Sequence, residues 1–171
     1  MTHTIPLSTW LIAYAATLFV FLVVDLLWLG LVAKDFYAGQ LGSLMAENVR
    51  WGVALVFYAL YIVGILIFAS QHGLSGGSIG KAALYGAMFG FFCYATYDLT
   101  NLATLEGWPV KMVAVDIVWG TVLTATRAAG GVWITRLITG GYPLRGLAHR
   151  RYPTRSHRPS RPPSRRPEPE R

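Results

Sequence analysis

The sequence predicts an all-α, polytopic integral membrane protein: four transmembrane helices, a short interfacial helix after the first, and a disordered C-terminal tail. Three observations carry that expectation. Hydrophobic residues make up 54% of the 171-residue chain and charged residues only 13%, a balance too apolar for a soluble domain. Four apolar stretches follow one another, each of roughly the 20 residues needed to cross a hydrocarbon core. The basic excess is confined to one end, with ten of the fifteen Lys and Arg at Arg136 or beyond. The net charge of +7 therefore describes a tail and gives the folded part no nucleic-acid face.

The first span covers 9–33, with Trp10 and Trp28 near its ends as interfacial anchors. No Lys or Arg precedes it, and its long apolar run contains Asp25, so it is expected to stay rather than be cleaved as a signal. Over 35–47, Phe36, Tyr37, Leu41, Leu44 and Met45 recur near helical spacing among Asp35, Gln40 and Glu47. That pattern predicts an amphipathic helix lying in the interface. The second span, 51–69, is the least polar and carries Tyr58 and Tyr61. A turn-rich connection over 70–80 leads to the third span, 81–104, in which Gly86-x-x-x-Gly90 lets two helix backbones approach closely. Gly107-Trp-Pro109 breaks the chain, and Pro109 suits the first turn of the fourth span, 110–135. From 140 to 171 the composition collapses into Arg, Pro, Ser and His, which cannot form a core. This tail reads as a solvated extension whose arginines can meet anionic head groups.

Four spans return both termini to one side. Near the membrane that side carries Lys81, Arg136, Arg145, Arg150 and Arg151, against Lys34, Arg50 and Lys111 on the other, so the termini are expected in the cytoplasm.

Inside the spans the informative residues are acids: Asp25 in the first, Asp98 in the third, Asp116 in the fourth. Counted from the helix ends at about 1.5 Å per residue, all three fall roughly 9 to 12 Å beneath one surface. Tyr58 and Asn101 belong to the same layer, Tyr94 shares the bundle-facing side of the third span with Asp98 and Asn101, and Trp28 and Trp119 each stand three residues beyond an acid on its own helix face. The candidate ligand-binding set is thus Asp25, Trp28, Tyr58, Tyr94, Asp98, Asn101, Asp116 and Trp119. An ionised Asp at a helix centre costs roughly 2.5 to 3.5 kcal/mol. Protonation of at least one carboxyl, or a cation among them, would relieve that cost. The competing view is that the carboxyls only tie helices together, each hydrogen bond contributing on the order of 0.6 to 1.7 kcal/mol. Asp25-x-x-Trp28 and Asp116-x-x-Trp119 look alike, but they lie on helices of opposite direction and read as similar demands rather than a duplication. Arg127 sits about 16 Å from Asp116 along the helix and is expected to snorkel to the cytoplasmic interface.

No His lies in a span and the single Cys93 has no pair, which excludes an intrachain disulfide and gives zinc or haem no support. No phosphate loop and no Ser–His or Cys–His pairing is recognisable, so no cofactor and no catalytic residue is assigned.

Val24-Asp-Leu-Leu-Trp-Leu-Gly-Leu31, Phe36-Tyr37, Tyr94-Ala-Thr-Tyr-Asp-Leu-Thr-Asn-Leu-Ala-Thr104, Gly107-Trp-Pro109 and Val115-Asp-Ile-Val-Trp-Gly120 together resemble a bacterial family of small four-span membrane proteins, the domain-of-unknown-function family 2177. The resemblance covers about 8–137 and implies a bacterial inner-membrane protein surrounded by lipid; it supplies no activity. Three functions stay open. The first is binding or transport of a proton, a cation or a small amphiphilic ligand, transport requiring a homodimer. The second is a membrane enzyme with Asp as general acid on a lipid or isoprenoid, or with the three Asp around Mg²⁺. The third is an accessory or assembly subunit with a purely structural polar layer.

Overall fold

The computed structural model describes residues 5–140, and every element within them is helical. The tail expected over 140–171 lies, beyond Gly140, outside the described residues. Three helical stretches are long and apolar enough to cross a membrane: Leu7–Leu27, Trp51–Leu74 and Val110–Ile138.

Helix α1, Leu7–Leu27, passes without a break into a π-helical stretch, Trp28–Ala33, and then into α2, Lys34–Leu41. The chain therefore does not turn at 33, where the sequence placed the end of the first span. Gly42, at φ +50, caps α2, and a short 3-10 turn, Gly42–Leu44, follows. The amphipathic helix expected to reach 47 thus ends at Leu41.

α3, Trp51–Ile65, continues through π-helical Leu66–Ser70 into the short α4, Gln71–Leu74. After a turn at Gly76 (φ +91), Ser78 accepts the Lys81 N–H at 3.1 Å and starts α5, Ile79–Thr104. Gly107 (φ +76) and Pro109 make the second tight connection, with Pro109 just ahead of α6, Val110–Ile138.

α5 and α6 form the largest contact in the molecule, and small residues explain it. A Cβ added at Gly86 would stand 2.8 Å from the Thr124 carbonyl oxygen and 2.9 Å from the Ala128 methyl. At Gly90 it would run into the Gly120 carbonyl, and at Gly120 into the Tyr94 ring. The close approach expected from Gly86 and Gly90 is therefore made, with α6 as partner. On the other side of α6 a Cβ at Gly131 would strike the Thr17 hydroxyl, which sets the register of α1.

The apolar core lies toward the terminal end, where Ala13, Ile65, Ala69, Leu74, Ala82, Ala128 and Val132 are all essentially inaccessible. Arg136 closes this end by donating to the Gly73 and Gly77 carbonyls at 2.7 and 2.5 Å. The second rod, the continuous helical stretch Trp51–Leu74, is held mainly there: Leu66–Ser70 packs on α5 and α6, while Trp51–Ile65 touches α1 and α6 only lightly. Its outer face, with Trp51, Val53, Leu55, Val56 and Leu60, is exposed and apolar.

Candidate functional site

Away from the packed end, α1, α2, α3, α5 and α6 enclose a partly open cleft of about 210 Å³. Its lining includes Asp25, Trp28, Tyr37, Tyr58, Tyr94, Asp116, Trp119 and Arg127. Six of the eight residues expected at the site, Asp25, Trp28, Tyr58, Tyr94, Asp116 and Trp119, thus meet in one place. Asp98 and Asn101 do not line it.

The acids are not one layer. α1 and α6 run antiparallel, and Trp28 stacks on Trp119 with ring centroids 3.8 Å apart and planes 15° from parallel. Each acid stands three residues before its tryptophan in sequence, so in opposed helices the acids fall on opposite sides of the stack. They are separated by about six residues of helix, roughly 9 Å. The two Asp-x-x-Trp motifs meet head to head, with Asp25 the deeper acid. The count from helix ends failed at α1 because that helix runs on past Ala33 into α2. Asp98 and Asp116 do share a level, since Gly86 meets Thr124 and Gly90 meets Gly120, and the same antiparallel step brings residue 98 opposite about 112–116.

Each acid has its own surroundings. Asp25 accepts from Arg127 Nη2 at 2.7 Å, with the Tyr58 hydroxyl close by. The guanidinium lies over the Phe21 ring, its carbon 3.4 Å from the centroid, and Phe21 packs edge-on against Tyr58 at 4.8 Å. Arg127 is 1% exposed. It does not snorkel to the interface; the carboxylate and the aromatic face hold it within the protein, where a guanidinium is served by both.

Asp116 accepts a hydrogen bond from the Tyr37 hydroxyl. Burial, and then the Asp116 carboxylate, push the Tyr37 hydroxyl well above its ordinary range, which keeps it the donor. Asp98 is completely buried, and among the described residues neither carboxyl oxygen has a hydrogen-bond partner. The Trp108 N–H and Asp116 are its polar neighbours, the former making no hydrogen bond. Asn101 lies past it on α5, beside Tyr97.

Two apolar spaces adjoin the cleft. One, of about 380 Å³, is bounded by Phe57, Tyr61, Cys93, Tyr94, Tyr97 and Asp116. Tyr61 donates to Thr124 Oγ1 at 2.8 Å, because that hydroxyl donates to the Gly120 carbonyl. The other, of about 370 Å³, runs along the outside of α6 between Trp28, Ala114, Val115, Val118, Trp119 and Val122. Cys93 is half-buried and free. Among the described residues no group of three or more His, Cys, Asp or Glu could hold a metal ion. The Mg²⁺ version of the enzyme reading therefore lacks its donor set, because Arg127 occupies Asp25 and the other two acids lie one and a half turns away.

Sequence reasoning missed Tyr37 and misplaced Arg127. An arginine inside a span implies a buried partner. Asp116, on the same helix, is too far along the axis, and Asp25 on the neighbouring helix is the partner. For Tyr37 no signal existed beyond its place in an amphipathic run.

Fold and cleft together define a helical membrane protein with a polar, aromatic-walled hollow between its helices. The chain belongs to the DUF2177 family, described as a predicted membrane protein, whose model matches residues 10–133. No curated protein and no solved structure matches the chain.

Proposed function

We propose that this protein binds a small amphiphilic ligand in the cleft between α1, α3 and α6. The observation that carries the reading is the convergence of a buried ion pair, a tyrosine-bonded carboxylate and two stacked tryptophans around one hollow, with apolar spaces on either side. Polar groups few in number and fixed in place, set in an aromatic wall, are what a ligand with one polar end requires. A bare cation is a poorer fit, because Arg127 already neutralises Asp25 and leaves Asp116, among the described residues, as the one free carboxylate of the lining.

In this reading α5 is a fourth span. At 26 residues it is about 39 Å long, and it is packed along α6 in the opposite direction, so a membrane crossed by α6 is crossed by α5. The termini then share a side; the basic residues near them support the cytoplasmic side and the family resemblance supports a bacterial inner membrane, with α2 at the far surface. Binding needs only one copy of the chain; a transport path would need a homodimer.

Native mass spectrometry of the protein gently extracted from its own membrane tests this. Wild type should retain a defined amphiphile that Asp116→Asn loses while keeping its thermal melting point. Only bulk lipid on the wild type, or equal retention by the variant, overturns the reading. Recovery of a chemically altered ligand would instead favour the enzyme, with Asp116 as its acid.

A further inference from the structure

Among the described residues two buried donors at the cleft make no hydrogen bond: the Trp28 indole Nε1, beside the Tyr37 hydroxyl, and the Arg127 Nε. Both side chains line the cleft. Arg127 is fixed by its Nη2 bond to Asp25 and by Phe21, so its Nε–H cannot turn away to solvent. Buried donors left unpaired are costly, and a ligand oxygen is the natural partner for both. The charge of that oxygen is decided by its neighbours. With Asp25 and Arg127 paired, the remaining carboxylate, Asp116, disfavours an anionic head, and a cationic head would leave both donors unpaired. A neutral carbonyl satisfies the donors without either penalty.

The apolar part of such a ligand has a place to go. The groove between Trp28, Val118, Trp119 and Val122 has a wholly apolar lining, and Val118 and Val122 are largely exposed on the outside of α6. The Trp28–Trp119 stack lines both groove and cleft, so the two spaces lie side by side against one pair of rings. The other adjoining cavity is also mainly apolar, but three tyrosines and Asp116 bound it, whereas the lining of the groove is wholly apolar. Resting on the ligand-binding reading above, we infer that the ligand is a neutral, carbonyl-bearing single-chain lipid. Its head accepts from Arg127 and Trp28, and its chain lies in the α6 groove, reached sideways from the bilayer.

The test uses full-length protein in lipid nanodiscs and a monooleoylglycerol carrying a diazirine midway along its acyl chain. After photolysis, labelled peptides should map to Ala114–Val122, and unmodified monooleoylglycerol should compete about tenfold better than oleic acid or oleylamine. Trp28→Phe keeps the aromatic stack and removes the N–H. It should weaken labelling about tenfold with an unchanged melting point, the loss of one hydrogen bond. Labelling around Phe57–Tyr61 and Cys93–Tyr97 instead would overturn the groove but leave the binding reading standing. Stronger competition by the acid or the amine, or full labelling of Trp28→Phe, would overturn the head group. Absence of saturable labelling together with no retained amphiphile in the native spectra would remove both readings.

Discussion

At the scale of single residues the Asp25–Arg127 pair dominates. Breaking a buried pair by removing one partner leaves an uncompensated charge and costs about 3–5 kcal/mol, whereas removing both leaves none. Arg127→Met alone should therefore lower stability by about that amount, and Asp25→Leu combined with Arg127→Met should recover more than half of it. Steric-trap or detergent unfolding of the two variants measures the difference. Tyr37 offers a second check. Its hydroxyl titrates above the ordinary value of 10.0, so its bond to Asp116 is fully present below that pH and is lost only as pH rises through the higher folded value. Tyrosinate absorbance at about pH 11 should thus be the same in wild type and Tyr37→Phe, since the native hydroxyl keeps its proton there. A fall in the variant would show that Tyr37 ionises like an exposed tyrosine.

At the scale of elements the α5–α6 contact depends on backbone proximity at Gly86, Gly90 and Gly120. Gly120→Ala puts a methyl into the Tyr94 ring and should cost about 1–3 kcal/mol while displacing a cleft residue. Gly52→Ala, with open space around it, should change stability by less than about 0.5 kcal/mol and serves as the control. Thermal melts of the two variants decide the matter. Elements such as these were legible in the sequence: the apolar runs gave the long helices, the glycine spacing gave the close packing, and the intramembrane acids with their tryptophans gave most of the cleft lining. What escaped was register. A helix that continues as a π-helical stretch, Trp28–Ala33, has no turn residue to betray that it does not end, so the depth of Asp25 could not be counted from Ala33. Pairings across helices, Tyr37 with Asp116 and Arg127 with Asp25, depend on that same register and were lost with it.

At the scale of the whole molecule, the antiparallel packing of α5 on α6 makes a topological prediction. Single cysteines at Ser75 and at Glu106, in a Cys93→Ala background, should react with a membrane-impermeant maleimide from opposite sides of the membrane, Ser75 from the side of the termini. Reaction of both from one side would mean that α5 does not cross. The molecule is also uneven along its length, close-packed and clamped by Arg136 at the terminal end and hollow at the other. Because the second rod is gripped near Ser70 and barely touched near Trp51, the gripped end is a fulcrum and the cleft lies between a pair of jaws. A small tilt about that fulcrum grows with distance from it, so the mouth would widen where Tyr58 faces Asp25, parting Tyr58 from Phe21 while Ala69 and Leu74 stay packed.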